Sequence, residues 1–480
     1  MAQSAPFAVT LDRSAAPSLP AQLATQARAL IAAGSLAPGQ RLPSTRALAA
    51  ELGVARAVVE RAFDQLIAEG WVIARRGAGT FVQEMGTAGD GAGRTKRVAG
   101  PVSHRHPRQG GREREPLVRF DTGTPWVDPR HQAGWRRAWR EVSTTTMPPG
   151  YPDPAGMREL REQIALYVGS RRGVACTADE VMITAGTTHG LALVLERLGP
   201  GAVAIEDPGY RAAVSVASAQ GARVVDVPID EEGLDVGWLR RSGPSAVHAI
   251  YVTPAHQHPL GITMSAPRRV ALLAEARRRG AVVIEDDYDS EFRYDVAPLP
   301  ALAQLSRDVI YLGTAAKTLH PALRMGWLVG PAGLVEELAD RRADRHDHPS
   351  WPLQRALLSM HREGHVDRLV RAARRVYAER SLLVRERLGP YLDISAGGAG
   401  MYVTLAMSAE EVAEAVSDGR AAGLELPSLA DYCRSSQRHG LVLGFGGVSE
   451  DELARALDVV ASVVRRTRGA GLSEREVMSQ

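Results

Sequence analysis

Lysine occurs at only two positions in this chain, Lys96 and Lys317. The other long basic side chains are arginines, whose guanidinium stays charged and cannot act as a nucleophilic amine near neutral pH. Lys96 sits in a run rich in Gly and Arg, whereas Lys317 sits in GTAAKTLHPALRMG, directly after the apolar run VIYLG. An amine at a strand end can form a Schiff base with an aldehyde. A cofactor held that way needs four more groups: an anion cradle, a carboxylate, a hydroxyl donor and a flat ring.

The chain offers a candidate for each. ITAGTTHGL puts Gly186, Thr187 and Thr188 at a strand-to-helix junction, where free N–H groups suit a phosphate. Arg324, a little beyond Lys317, can add a charge-assisted bond. Asp286 ends the strand-like run AVVIEDDYD, and Tyr288, two residues on, falls on the same strand face. Tyr210 closes EDPGY after another strand end and can stack on a ring. Thr314 and His258 complete the candidate set. The set suits pyridoxal phosphate. Asp286 would keep the pyridine nitrogen protonated, making the ring an electron sink, and Tyr288 would reach the ring oxygen. Ligands gather at the carboxyl ends of parallel strands in open α/β sheets.

The elements that must position these groups are legible as patterns. Apolar strand-like runs recur at Val181–Thr184, Ala202–Glu206, Ala249–Thr253, Val282–Asp286, Val309–Leu312 and Trp327–Val329, mostly with helical segments between them. This predicts an α/β body with a mainly parallel sheet over residues 117–480, ending in a smaller α+β subdomain. Residues 84–116 are rich in Gly and Arg and nearly lack large apolar side chains, which predicts a flexible basic linker. Ahead of it, helical periodicity over 18–34, a helix capped by Ser44 and ending at Gly53, and a helix from about Ala55 to Glu69 precede WVIARRGAGTFV, a hairpin pattern. The third helix carries Val59, Ala62, Phe63, Leu66 and Ile67 as its apolar stripe. Three helices and a hairpin predict a winged helix-turn-helix over residues 1–83.

Composition bounds the function. At 480 residues the chain holds two or three domains. An apolar share of 45% and a charged share of 24% exclude a mainly disordered or fibrous protein. No apolar run reaches the ~18 residues of a membrane span. No signal-peptide pattern opens the chain, so a soluble, cytoplasmic protein is expected. Cys176 and Cys433 make neither a disulfide framework nor a zinc site, and no metal site is expected. The net charge of +3 is uneven: residues 1–82 hold eight Arg against five acidic residues, and residues 83–116 hold seven Lys and Arg against four. A basic amino-terminal end suits nucleic acid. In a winged helix the third helix enters the major groove, which makes Arg56 a base or phosphate contact. Arg41, Ser44, Thr45 and Arg46 lie at the start of the second helix, and Arg75, Arg76 and Gly77 at the wing. All eight are candidate contacts to double-stranded DNA.

The segment GQRLPSTRALAAELGVARAVVERAFDQLIAEGWVIARRGAGTFV resembles the GntR-type winged helix. YPDPAGMRELREQIALYVGSRRGV, ITAGTTHGL, EDPGY, TPAHQHPLG, IEDDYDSEF and GTAAKTLHPALRMGWLVGP resemble the fold-type-I aminotransferase domain of MocR/GabR-type regulators. The resemblance implies a pyridoxal-phosphate-dependent transcriptional regulator. It implies Lys317 as the Schiff-base lysine, Asp286 as the pyridine partner, Tyr288 as the ring-hydroxyl donor and Tyr210 as the stacking ring. Arg324, Thr187 and Thr188 would bind the phosphate. It also implies a homodimer, with each winged helix packed near the partner's large domain.

Several positions depart from the pattern. Ala55 stands where GntR-type helices often carry Ser. His258 replaces the Asn that in aminotransferases hydrogen-bonds the ring oxygen. Ala315 and Ala316 replace a Phe-Ser pair. Val442, in LVLGFGG, replaces the Arg that clamps a substrate carboxylate, with Arg434 and Arg438 the nearest cations in sequence. The expectation is therefore a regulator rather than an enzyme, with at most a residual half-transamination and no catalytic residue. It would sense pyridoxal phosphate or a small amine or amino acid through an aldimine at Lys317. The alternative is an active aminotransferase with an accessory DNA-binding module.

Overall fold

The structure, a computed structural model, describes residues 9–13, 17–75, 79–83, 117–127, 132–294, 300–392, 394–395 and 399–477. The amino-terminal body is a winged helix. It comprises α1 (Leu19–Ala32), α2 (Thr45–Glu51), α3 (Arg56–Ala68) and the hairpin β1 (Val72–Arg75) and β2 (Gly79–Val82). Pro20 sits in the first turn of α1, where a missing N–H costs nothing. Ser44 caps α2 through its hydroxyl, which accepts from Ala47 N at 3.1 Å. Ala55 gives α3 no such cap. Val59, Ala62, Phe63 and Leu66 are buried as the stripe requires, but Ile67 is 37% exposed. One step of about 100° beyond Leu66 carries it off the core face. Arg76, Gly77 and the linker 84–116 with Lys96 lie outside the described residues.

The second body opens with β3 (Val118–Arg119) and is built on an eight-stranded sheet. Its strands are β4 (Val181–Thr184), β5 (Ala202–Asp207), β6 (Arg223–Asp230), β7 (Gly233–Leu234), β8 (Ala249–Val252), β9 (Val282–Asp287), β10 (Ile310–Thr314) and β11 (Gly326–Val329). The spatial order is β4-β11-β10-β9-β8-β5-β6-β7. From β10 to β6 every pairing is parallel, while β11 runs antiparallel to both its neighbours. β4, β5, β8, β10 and β11 are buried at every position, as strands covered on both faces must be. Alternate residues feed two cores: Val203 and Ile205 face one side, Ala202 and Ala204 the other. β6 and β7 were not anticipated. β6 carries Pro228 and alternates in burial, so it lacks the continuous apolar run that marks its neighbours.

The carboxyl-terminal subdomain holds β12 (Ile394–Ser395), β13 (Tyr402–Ala406), β14 (Leu424–Glu425) and β15 (Gly440–Gly444). β13 pairs antiparallel with β12 and β15, and β14 pairs with β3, which ties the start of this body to its end. Among the described residues no helix is long and apolar enough to cross a membrane.

The winged helix does not stand apart. Ala266, first residue of the helix Ala266–Arg279, is fully buried within the winged-helix core, with Val270 and Leu305 packed against it. The resemblance implied packing near a partner's large domain; in this single chain the contact is with its own.

Candidate functional site

Strand ends β4, β8, β9 and β10 converge on a cavity of about 370 Å³, a size suited to a small ligand. All ten candidate cofactor residues line it: Lys317, Asp286, Tyr288, Tyr210, Gly186, Thr187, Thr188, His258, Thr314 and Arg324. Asp286 and Tyr288 face in, while Asp287, between them, turns away to a buried ion pair with Arg172 and a bond from Tyr311 at 2.8 Å. Alternation along the end of β9 accounts for the split.

At one end the helix Thr187–Leu198 begins after Gly186, with φ at +99° and no side-chain cap. Its first N–H groups are therefore unclaimed by a capping side chain. Arg324 adopts a left-handed backbone, φ 47°, which is unusual for a residue with a side chain. It holds the guanidinium over this helix start, 3.4 Å from the Thr188 hydroxyl.

In the middle, Asp286 Oδ2 accepts from the Tyr251 hydroxyl at 2.5 Å, and Oδ1 is buried without a hydrogen-bond partner. Burial pushes this carboxyl up to about 7, against the lowering effects of the Tyr251 and Thr187 hydroxyls. Lys317 Nζ donates to Gly123 O at 2.7 Å. Burial pulls its amine below the usual lysine value, against the raising effect of Asp289, Asp121 and Asp286.

His258 is buried edge-on to Tyr210, Tyr288, Tyr402 and Tyr432. Burial, then the charge of Lys317, drives its ring down to about 3, so it is neutral and offers a single N–H. Its Nδ1 has no partner. The Tyr288 hydroxyl donates to His256 O at 2.8 Å and lies 2.7 Å from the Tyr402 hydroxyl.

Sequence reasoning missed Tyr251 and the segment Asp121–Thr124, both of which line the cavity. A Tyr in the apolar run AIYV was the available signal, because a buried hydroxyl needs a partner. Val442 is fully buried in β15 and does not line the cavity. Arg434 is held by Asp226 at 2.6 Å and by Glu206 O, and Arg438 by Ile229 O. Neither enters the cavity, where Lys317 and Arg324 are the lining cations among the described residues. Among the described residues no cluster of three His, Cys, Asp or Glu could hold a metal.

On the winged helix, Arg41, Ser44, Arg46, Arg56 and Arg75 are exposed and Thr45 half-buried. Arg56 opens α3 and pairs with Glu60 at 2.7 Å. Arg75 lies over the Phe81 ring, 5.1 Å from its centroid.

Residues 19–82 match the bacterial regulatory proteins of the gntR family, and residues 118–433 match aminotransferase class I and II. The chain is 33% identical over 452 residues to the HTH-type pyridoxine biosynthesis transcriptional regulator PdxR of Corynebacterium glutamicum, covering 93% of this chain and 96% of that one. It is 31% identical over 484 residues to the probable rhizopine catabolism regulatory protein MocR of Rhizobium meliloti, covering 96% and 97%. The structure of an archaeal alanine:glyoxylate aminotransferase superposes with a TM-score of 0.66 at 24% identity, over 73% of this chain and 91% of that one, and shares the fold.

A gntR-type winged helix joined to a fold-type-I aminotransferase-like body defines a DNA-binding transcriptional regulator built on an enzyme scaffold. The chain belongs to the MocR-type family of GntR regulators.

Proposed function

We propose that residues 117–480 hold pyridoxal phosphate at Lys317, and that this cofactor is itself the effector controlling DNA binding by residues 1–83, with 84–116 as the linker. One arrangement carries the reading: an amine and a buried carboxylate share a cavity with an uncapped helix start beneath Arg324. The residues fit the group. Asp286 Oδ1 lacks a partner and suits a protonated ring nitrogen. A Cβ added to Gly186 would come within 3.5 Å of the Arg324 guanidinium, so glycine leaves room for a phosphate. Bound, pyridoxal phosphate supplies an aldehyde for Lys317 and an electron-drawing ring.

The protein's residues do the rest. Thr187, Thr188, Gly186 and Arg324 would bind the phosphate, Asp286 with Tyr251 beside it would hold the ring proton, and Tyr210 would be the aromatic partner of the ring. Thr314 lines the wall beside Lys317. His258, with its single N–H, and Tyr288, whose hydroxyl now donates to His256 O, would be the donors to the ring oxygen. Turnover of amino acids is not part of the function, because no cation among the lining residues is left for their carboxylate. Arg41, Ser44, Thr45, Arg46, Arg56, Arg75, Arg76 and Gly77 contact a double-stranded operator. The protein works as a homodimer in the cytoplasm. The relative from Corynebacterium glutamicum, a pyridoxine biosynthesis regulator, supports the choice of effector. Operator binding by cofactor-free protein, repeated with pyridoxal phosphate and then with amines, tests it. A response only to amines would replace the cofactor as effector.

A further inference from the structure

The cavity and the DNA-binding body are joined by one helical turn. The carboxyl end of α3 docks on the start of the helix Ala266–Arg279: Ala266 N donates to Glu69 O at 3.1 Å. Gly70, at φ +73°, lets the chain pass Ser265, whose Cβ is 3.6 Å from where a Cβ on Gly70 would stand. Behind the contact, Glu69 is held by Arg28 at 2.9 and 3.0 Å and by Gln65 at 2.9 Å, with Arg28 and Glu69 almost wholly buried. Trp71, Ala266, Arg269, Ala301 and Leu305 close the seam around this pair.

The same turn reaches the cavity. Arg269 is buried, and its guanidinium donates to Pro254 O at 2.8 Å, Met264 O at 2.9 Å and Pro300 O at 2.9 Å. Among the described residues it forms no ion pair; its hydrogen bonds go to backbone carbonyls, and the charges of Glu285 and Glu69 offset part of its burial. Burial lowers it to about 10. Pro254 and Met264 are the two ends of the loop that carries His258 into the cavity, and Met264 N also donates to Pro254 O. His258 N is fixed to the hydroxyl of Thr253, just ahead of this loop, at 3.0 Å.

We propose that the first turn of the helix Ala266–Arg279 is the joint between the two bodies: it receives the winged helix on Ala266 and, through Arg269, grips the base of the His258 loop. A buried cation held only by carbonyls tolerates no drift of those carbonyls. A shift of the loop on filling the cavity must therefore move the turn or strand the guanidinium, and either alters the seat of α3. Coupling is then reciprocal: what the cavity does to operator affinity, the operator does to cavity affinity by the same factor. This turn is the element whose equilibrium both sites bias.

The inference rests on pyridoxal phosphate as the effector. The test uses the full chain, cofactor-free and loaded, titrated with operator DNA. The wild type is expected to show a loaded-to-free affinity ratio in the typical range of about 5- to 150-fold. Ala266→Glu disrupts only the seat and is expected to bring the ratio close to one, while binding pyridoxal phosphate normally without DNA. Arg269→Gln is expected to bring the ratio close to one as well, by freeing the base of the His258 loop. Val270→Asn stands in for either if heat denaturation shows a loss of fold. Hydrogen exchange at residues 65–71 is expected to respond to pyridoxal phosphate in the wild type and not in folded variants. A ratio retained in folded variants overturns the joint and leaves the effector reading intact. No ratio in the wild type, with the cofactor spectroscopically bound, overturns both.

Discussion

Asp286 and Asp287 are neighbours with different work. Asp286→Ala removes the carboxylate facing the cavity and is expected to weaken pyridoxal phosphate binding directly. Asp287→Ala removes the ion-pair partner of the buried Arg172 guanidinium, and breaking such a buried pair costs about 3–5 kcal/mol of stability. Its cofactor affinity, measured on the fraction that stays folded, should change little. Equal losses of affinity in the two folded variants would undo the facing argument. The Asp286 carboxyl also sets a pH signature. Its value rises from 3.8 to about 7 on folding of the cofactor-free chain. Stability from this group is full below the unfolded value and is lost as pH rises through the folded one. Asp286→Asn removes that loss, so the variant's Tm advantage over the wild type should grow between about pH 4 and about pH 7 and stay level above that. A difference that stays flat across that range would show that the group is not buried as described. Lys317→Ala should abolish the lysine-linked chromophore and its trapping by borohydride. Label found on Lys96 would reassign the site.

At the scale of elements, α3 presents Arg56 from its first turn, held by Glu60 in an exposed pair. Such pairs contribute little, about 0–1 kcal/mol, so DNA can take the guanidinium from it at small cost. Arg56→Ala is expected to weaken operator binding by about 1–3 kcal/mol if a base is read. Glu60→Gln should leave binding equal or tighter. Fluorescence anisotropy with a labelled operator decides both. Much of the element level was readable in the chain. β9 announced itself by an apolar run ending in acid, and alternation placed Asp286 and Tyr288 together. The helix start at Gly186–Thr188 followed from a strand–glycine–helix pattern. The contacts that complete the site were not readable, because they join distant stretches. Gly123 meets Lys317 across 194 residues, and Tyr251 meets Asp286 across 35. Periodicity reports which face is buried, not what waits on the other side. β6 escaped for a local reason, since a proline and one exposed face blur the strand pattern.

For the whole molecule, the cavity's charge balance limits chemistry. Val442 is buried, Arg434 and Arg438 make their hydrogen bonds outside the cavity, and among the described lining residues Arg324 is the one guanidinium. The missing buried partner is worth about 3–5 kcal/mol, or roughly a hundredfold to several thousandfold in rate. Common amino acids should therefore yield little keto acid and little pyridoxamine form. Brisk multiple turnover with any of them would favour the aminotransferase reading.

Ala266 has a consequence for modularity. It is a large-domain residue counted in the winged-helix core. A fragment cut within the linker would expose Trp71 and open the edge of the Arg28–Glu69 pair to water, where such a pair is worth much less. The two bodies are thus not separable pieces. A reader domain grafted from this chain onto another scaffold would arrive with an unfinished side, and one taken from elsewhere would need an alanine-sized socket to settle here. Fusion has turned a surface into an interior, and each half now carries part of the other's stability.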